Sequence, residues 1–239
     1  MLNPHDRGVI LTRKRNRDVA ASSKRPNLRW IPLEDQSSGR ATLSYYYSDP
    51  HSKVPIRDVT NKNDPKLDPN FETLTYGLFS HCNKQERRSI VESGIKYQFF
   101  CTTRRGGIRV LTGYYQIGSY CEVTPGDYVL KAKRSRFISP GFPLQALTEY
   151  LEPFRIERFR SWRYIPERIA ALLVSLIDET DDASATYLSE LRRLERWSLD
   201  KYGHIYARRT KGCNRGDVPK ELEVRSKTPL RKQVHKRGA

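Results

Sequence analysis

The chain reads as an α+β protein: a strand-rich body, then two helices, with strongly basic segments at both ends. Three observations carry that reading. Between residues 96 and 138 apolar and polar residues alternate with the period of two that marks strands, and Gly- and Pro-containing turns separate the runs. After Pro153 the apolar spacing becomes helical, with Pro166 starting the first helix. The charge is also unevenly placed. Of 239 residues, 44 are Lys or Arg and 27 are Asp or Glu, a formal charge of +17. Residues 1–29 hold eight cations against two acids, +6, and residues 201–239 hold twelve against three, +9, which leaves +2 for the body. Basic segments of low hydrophobicity bury too little apolar surface to offset their ordering entropy. Four parts are therefore expected: a disordered basic tail (1–29), a β domain (30–155), a helical-hairpin extension (156–206) and a second disordered basic tail (207–239).

In chain order, residues 30–68 are broken by Ser37-Ser38-Gly39, Asp49-Pro50, Pro55, Asp64-Pro65 and Asp68-Pro69, and 41–47 alternates as a strand. Residues 71–79 predict a better one. Asn83 can cap a short helix that ends at Gly94, with Gln85 and Glu86 in its first turn. The most informative stretch follows: a strand over 96–103, a turn at Arg104-Arg105-Gly106-Gly107, and a return strand over 108–117. Gly118-Ser119 predicts a break before 120–123 continues. Pro125-Gly126 turns the chain into one long strand, 128–138. Ser139-Pro140-Gly141 should end it, and Pro143 should open a short helix over 142–151. Residues 167–177 are apolar on nearly every face, which predicts a buried helix. Residues 184–202 are amphipathic through Tyr187, Leu188, Leu191, Leu194, Trp197 and Leu199, and Gly203 follows as the stop. The two helices are expected to pack on the sheet as an αα-hairpin.

Residues 94–151 enter a strand with Phe99-Phe100, turn, and emerge as Arg-Val-Leu-Thr-Gly-Tyr-Tyr-Gln-Ile. They end in Phe-Ile-Ser-Pro-Gly-Phe-Pro-Leu-Gln-Ala-Leu, with a helix start that runs from Pro143 to Leu147. This segment, a quarter of the chain, resembles the PUA-like superfamily, which includes the EVE, YTH, ASCH and SRA domains. The resemblance implies a small closed β barrel that reads a flipped or modified base of DNA or RNA in an aromatic-lined pocket. It assigns no pocket residue here.

The residues themselves point the same way. Basic tails suit a polyanion, because each cation placed on a phosphate releases a counterion. A flipped base needs an aromatic wall and polar groups for its edge. Candidate walls are Tyr114 and Tyr115, which must face opposite sides of their strand, Tyr45-Tyr46-Tyr47, and the run Arg160, Ser161, Trp162, Arg163, Tyr164. Candidate phosphate contacts are Arg104 and Arg105 at the hairpin tip, Arg109 on the return strand, and Lys131, Lys133, Arg134 and Arg136 on the long strand. Strict alternation would bury some of those last four, so either a bulge lies near Lys133 and Arg134 or one face is an open groove. Trp162 and Tyr164, with Phe154 and Phe159, could instead anchor the linker.

Two other classes compete. A metal-dependent nuclease could use Asp178, Asp181 and Asp182 to hold Mg²⁺; the same residues equally suit a helix-capping loop. A non-catalytic module could dock a partner through the helical hairpin. No nucleotide-binding glycine loop, nucleophile elbow or metal-ligand histidine spacing appears, and no cofactor is expected. Cys82, Cys101, Cys121 and Cys213 form no C-x-x-C pair and read as small buried thiols. The longest apolar run, 169–176 with Ser175 inside it, is far short of a membrane span. The first residues lack an apolar signal core, so a cytoplasmic place, or a nuclear one in a eukaryote, is expected.

Overall fold

The computed structural model describes residues 29–34, 39–49, 52–57, 69–77, 84–147 and 161–202. Both basic tails, apart from Arg29, and the stretch 148–160 with Arg160 lie outside that set. So do Cys82, Cys213 and all five histidines. Seven strands are described: β1 (Ile31–Pro32), β2 (Arg40–Tyr45), β3 (Thr75–Tyr76), β4 (Tyr97–Thr103), β5 (Arg109–Thr124), β6 (Asp127–Pro143) and β7 (Trp162–Pro166). Three α-helices accompany them: α1 (Lys84–Glu92), α2 (Glu167–Asp178) and α3 (Ser184–Tyr202). The strands form one sheet in the order β3-β6-β5-β4-β2-β7, with β1 against β5. All pairs are antiparallel except β2 with β4.

This sheet is open, not the expected closed barrel. Among the described residues its end strands each have one partner, β6 for β3 and β2 for β7, and helices cover its faces instead. The pleat sends neighbouring side chains to opposite sides, and both sides are core. Phe100, Tyr115 and Phe137 point to a first core completed by Ile90 of α1 and by Tyr187, Leu191 and Leu194 of α3. Phe99, Tyr114 and Ile138 point to a second, completed by Ile169, Leu173 and Ile177 of α2. Burial on two faces explains why β4 reads Tyr-Gln-Phe-Phe-Cys-Thr-Thr and not as a clean alternation.

The helices at 167–178 and 184–202 form as expected, with Pro166 just before the first. They do not pack as one hairpin on the sheet, since their apolar faces lie in different cores. The connecting turn instead crosses the edge of β6. There the Ala183 amide donates to Phe137 O (2.8 Å), and the Phe137 amide donates to Ser184 Oγ (3.1 Å). Nor is α2 buried all round: Ala171, Leu172 and Ser175 are exposed, because one sheet face can cover only one side of it.

Residues 161–166, read as linker, supply β7, so the helical extension contributes a strand to the same sheet. The strand expected over 71–79 shrinks to β3. The Asn70 and Thr75 backbones close a tight turn that folds Phe71 into the first core. Gly118-Ser119 does not break β5, because β1 and β6 pair on either side of it there. Ser139-Pro140-Gly141 leaves the β5 ladder, through a cis Ser139–Pro140 bond, but β6 rejoins at Phe142. The helix expected from 142 is a short 3-10 turn, Leu144–Leu147.

Of the two arrangements open to the basic strand, a bulge or an open groove, the bulge is present. Gln116 pairs with Arg134 and Ile117 with Ala132, which leaves Lys133 as the extra residue. Leu130 and Ala132 lie in the first core, so unbroken alternation would carry Arg134 and Arg136 there too. The bulge resets the pleat. Phe137 takes the core position, and both arginines turn to the other face.

Candidate nucleic-acid interface

Two cations of β6, Arg134 and Arg136, hold a helix end. A helix leaves its last carbonyls without intrahelical donors, and its dipole makes that end negative. At the end of α2, Arg136 donates from Nε to Ile177 O (3.1 Å) and from Nη2 to Thr180 O (2.6 Å). Arg134 pairs with Asp178 (2.9 Å), and the Tyr114 hydroxyl donates to the same carboxylate (2.8 Å). Burial and the adjacent carboxylate push the Tyr114 phenol up. With Arg136 Nε also 3.7 Å from the carboxylate, Asp178 is occupied by three side chains. Asp182 accepts the Ser184 amide (2.9 Å) at the start of α3. Both contacts are those of a capping loop, and no group of three metal-ligating side chains occurs among the described residues.

Tyr114 and Tyr115 do face opposite sides, but each side is filled core, so neither presents a ring to solvent. Burial pushes the Tyr115 phenol well up. Arg104 donates to Lys53 O (3.4 Å) and Arg105 is exposed beside it, so the 3-10 turn Arg105–Gly107 carries a small cationic tip. Arg109 lies over the Tyr45 ring at 5.3 Å, and Lys131 over Trp30 at 5.4 Å. Lys133 stands exposed on its bulge. The sequence candidates thus fall into separate groups and not into one pocket.

At the β7 end of the sheet Trp162 and Tyr164 point to the same side, edge to face, with centroids 5.0 Å apart. The Arg40 guanidinium covers Tyr164 at 5.1 Å. Arg163 points the other way, and burial lowers its pKa. Tyr164 begins a row that crosses the first face through its register partners Thr42, Gln98 and Tyr115. Above this row sits Glu86 of α1, fully buried. Ser44 Oγ (2.5 Å) and Gln98 Nε2 (3.1 Å) donate to its Oε1, while its Oε2 and the Gln98 Oε1 have no partner among the described residues. Burial raises Glu86 to about 7, against the lowering effect of those hydrogen bonds and of the Arg87 charge.

One feature escaped the sequence reading: the outer face of α3. Its inner face carries Tyr187, Leu191 and Leu194 together with buried Glu195 and Ser198, and Glu195 meets buried Arg57 at 3.3 Å. Trp197, expected on the apolar face, is 41% exposed, with the Lys201 ammonium 4.8 Å from its ring. Arg192, Arg193, Arg196, Trp197 and Lys201 form one exposed stripe at helical spacing. Arg193 is held twice by Glu190, at 2.6 and 2.7 Å, whereas Arg192 and Arg196 form no ion pair among the described residues. The signal for this stripe was in the sequence, since 192, 193, 196 and 197 recur at i, i+1, i+4 and i+5. Reading Trp197 as core concealed it.

Compared with protein-family models and with curated proteins, the chain matches none.

Proposed function

We propose that the protein binds nucleic acid, with the outer face of α3 and the basic segment that follows it as the main phosphate contact. The observation that carries this reading is continuity of charge. The exposed cations of a helix anchored in the core run directly into residues 201–239, which hold twelve Lys or Arg and three acids. A fixed array of cations loses little entropy on meeting a phosphate backbone, and the following chain adds counterion release without base specificity. Trp197, exposed within the stripe, adds an amphipathic ring of the kind that packs on sugar and base faces.

The base-reading part of the reading rests on the resemblance to PUA-like domains over 94–151 and on the Trp162–Tyr164 pair, not on Tyr114 or Tyr115. Measured affinity for a labelled oligonucleotide against salt tests the proposal. The logarithm of the binding constant should fall linearly with the logarithm of salt concentration. Arg192→Ala with Arg196→Ala should flatten that slope by about 1.4 on a single strand and about 1.8 on a duplex. Salt-independent binding, or a slope unchanged in the double variant, overturns the assignment to α3.

A further inference from the structure

We infer that the β7 margin is a stacking site for an unpaired nucleobase, so the nucleic acid this protein takes is single-stranded where it meets the sheet. The inference rests on the nucleic-acid reading above and adds a second contact, remote in sequence from the α3 stripe.

β7 is the terminal strand of the described sheet and pairs only with β2. The Tyr45 amide donates to Ser161 O, and the Glu167 amide donates to Gly39 O. In an antiparallel pair, bonded and non-bonded residues alternate. Residues 161, 163, 165 and 167 therefore turn their main-chain groups toward β2, and Trp162 and Tyr164 turn theirs to the outer edge. The side chains of the same two residues form the half-exposed aromatic pair. One short segment thus offers ring faces for stacking next to main-chain donors and acceptors for a base edge, with the exposed Arg40 cation over the inner ring. A base inside a duplex keeps its faces covered by its neighbours, so only an unstacked one can use the site.

The three tryptophans, Trp30, Trp162 and Trp197, make the site directly readable. In the full chain carrying Trp30→Phe and Trp197→Phe, Trp162 is the only indole. Titration with oligo-dT and oligo-U of about 15 nucleotides, binding being followed in parallel by anisotropy of a labelled strand, should quench its emission about twofold or more at saturation. A duplex of equal length should bind through its phosphates and leave the emission unchanged. In the otherwise native chain, Trp162→Ala should weaken single-strand binding about 5- to 100-fold with little effect on the duplex, and Trp162→Phe should restore most of it.

Strands that bind by anisotropy without changing Trp162 emission overturn the stacking site and leave the α3 reading standing. Equal quenching by the duplex also overturns it. So does an emission change that follows protein concentration without nucleic acid, since that would assign the edge to a strand of a second copy. If no oligonucleotide binds, both readings fall.

Discussion

Glu86 shows how one residue can set the pH behaviour of the whole fold. Its carboxyl lies fully buried between α1 and the sheet, and burial raises it from 4.5 to about 7. Between those two values the unfolded chain carries the charge and the folded chain keeps the proton. Unfolding then releases a proton, so stability falls as pH rises through that window and levels off above about 7. A shift of this size corresponds to about 3 kcal/mol. Urea midpoints at pH 5 and pH 8 should differ accordingly, and Glu86→Gln should remove most of the difference. Equal pH dependence in native and variant protein would place the titration elsewhere. Gly113 is a second residue whose neighbours dictate its identity. A Cβ there would collide with Arg136 O and the Phe137 ring, and its φ of 155° lies at the limit of what side-chain-bearing residues adopt. Gly113→Ala should cost about 2–4 kcal/mol, read as a fall in urea midpoint.

At the level of elements, the connection between the two C-terminal helices is what clasps the sheet. Tyr114 and Arg134 hold Asp178, Arg136 holds two carbonyls, and Asp182 and Ser184 secure the start of α3. Asp182→Ala should lower stability by about 1 kcal/mol through loss of the amide contact. Tyr114→Phe should cost about 1–2 kcal/mol, because Asp178 stays part-buried with one donor fewer. The two losses should add less than fully if the turn unfolds as a unit, a double-mutant cycle being the measure. The elements legible in the sequence were those with strong local signals: α1 with its stop at Gly94, α2 after Pro166, and the β4–β5 turn at Gly106-Gly107. Those missed were decided by contacts distant in the chain. β7 exists because β2, more than a hundred residues earlier, offers it an edge. Residues 71–74 turn because Asn70 and Thr75 bond across them.

For the whole molecule, the uneven charge is the property on which the proposed nucleic-acid binding rests. The body is close to neutral, and Arg134 and Arg136 are committed to a helix end, so the proposed reading assigns most phosphate affinity to the outer face of α3 and the terminal segments. Removing residues 207–239 should lower affinity for any oligonucleotide more than tenfold near 0.1 M salt, and the loss should shrink as salt rises. Loss of affinity for single strands alone, as seen by filter binding, would contradict a contact made to phosphates.

By itself the sequence determined the α+β composition, the order and type of the main elements, the opposed facing of Tyr114 and Tyr115, and the concentration of charge at the ends; for the basic strand it left a choice between a bulge and an open groove. All of these follow from local spacing or from counting. Only the tertiary structure decided that the sheet is open, that the two helices lie on opposite faces, and that Arg134, Arg136 and Asp178 hold one another. Which strand edges meet, and which faces remain for helices to cover, depends on pairings between distant segments, and no local periodicity encodes them.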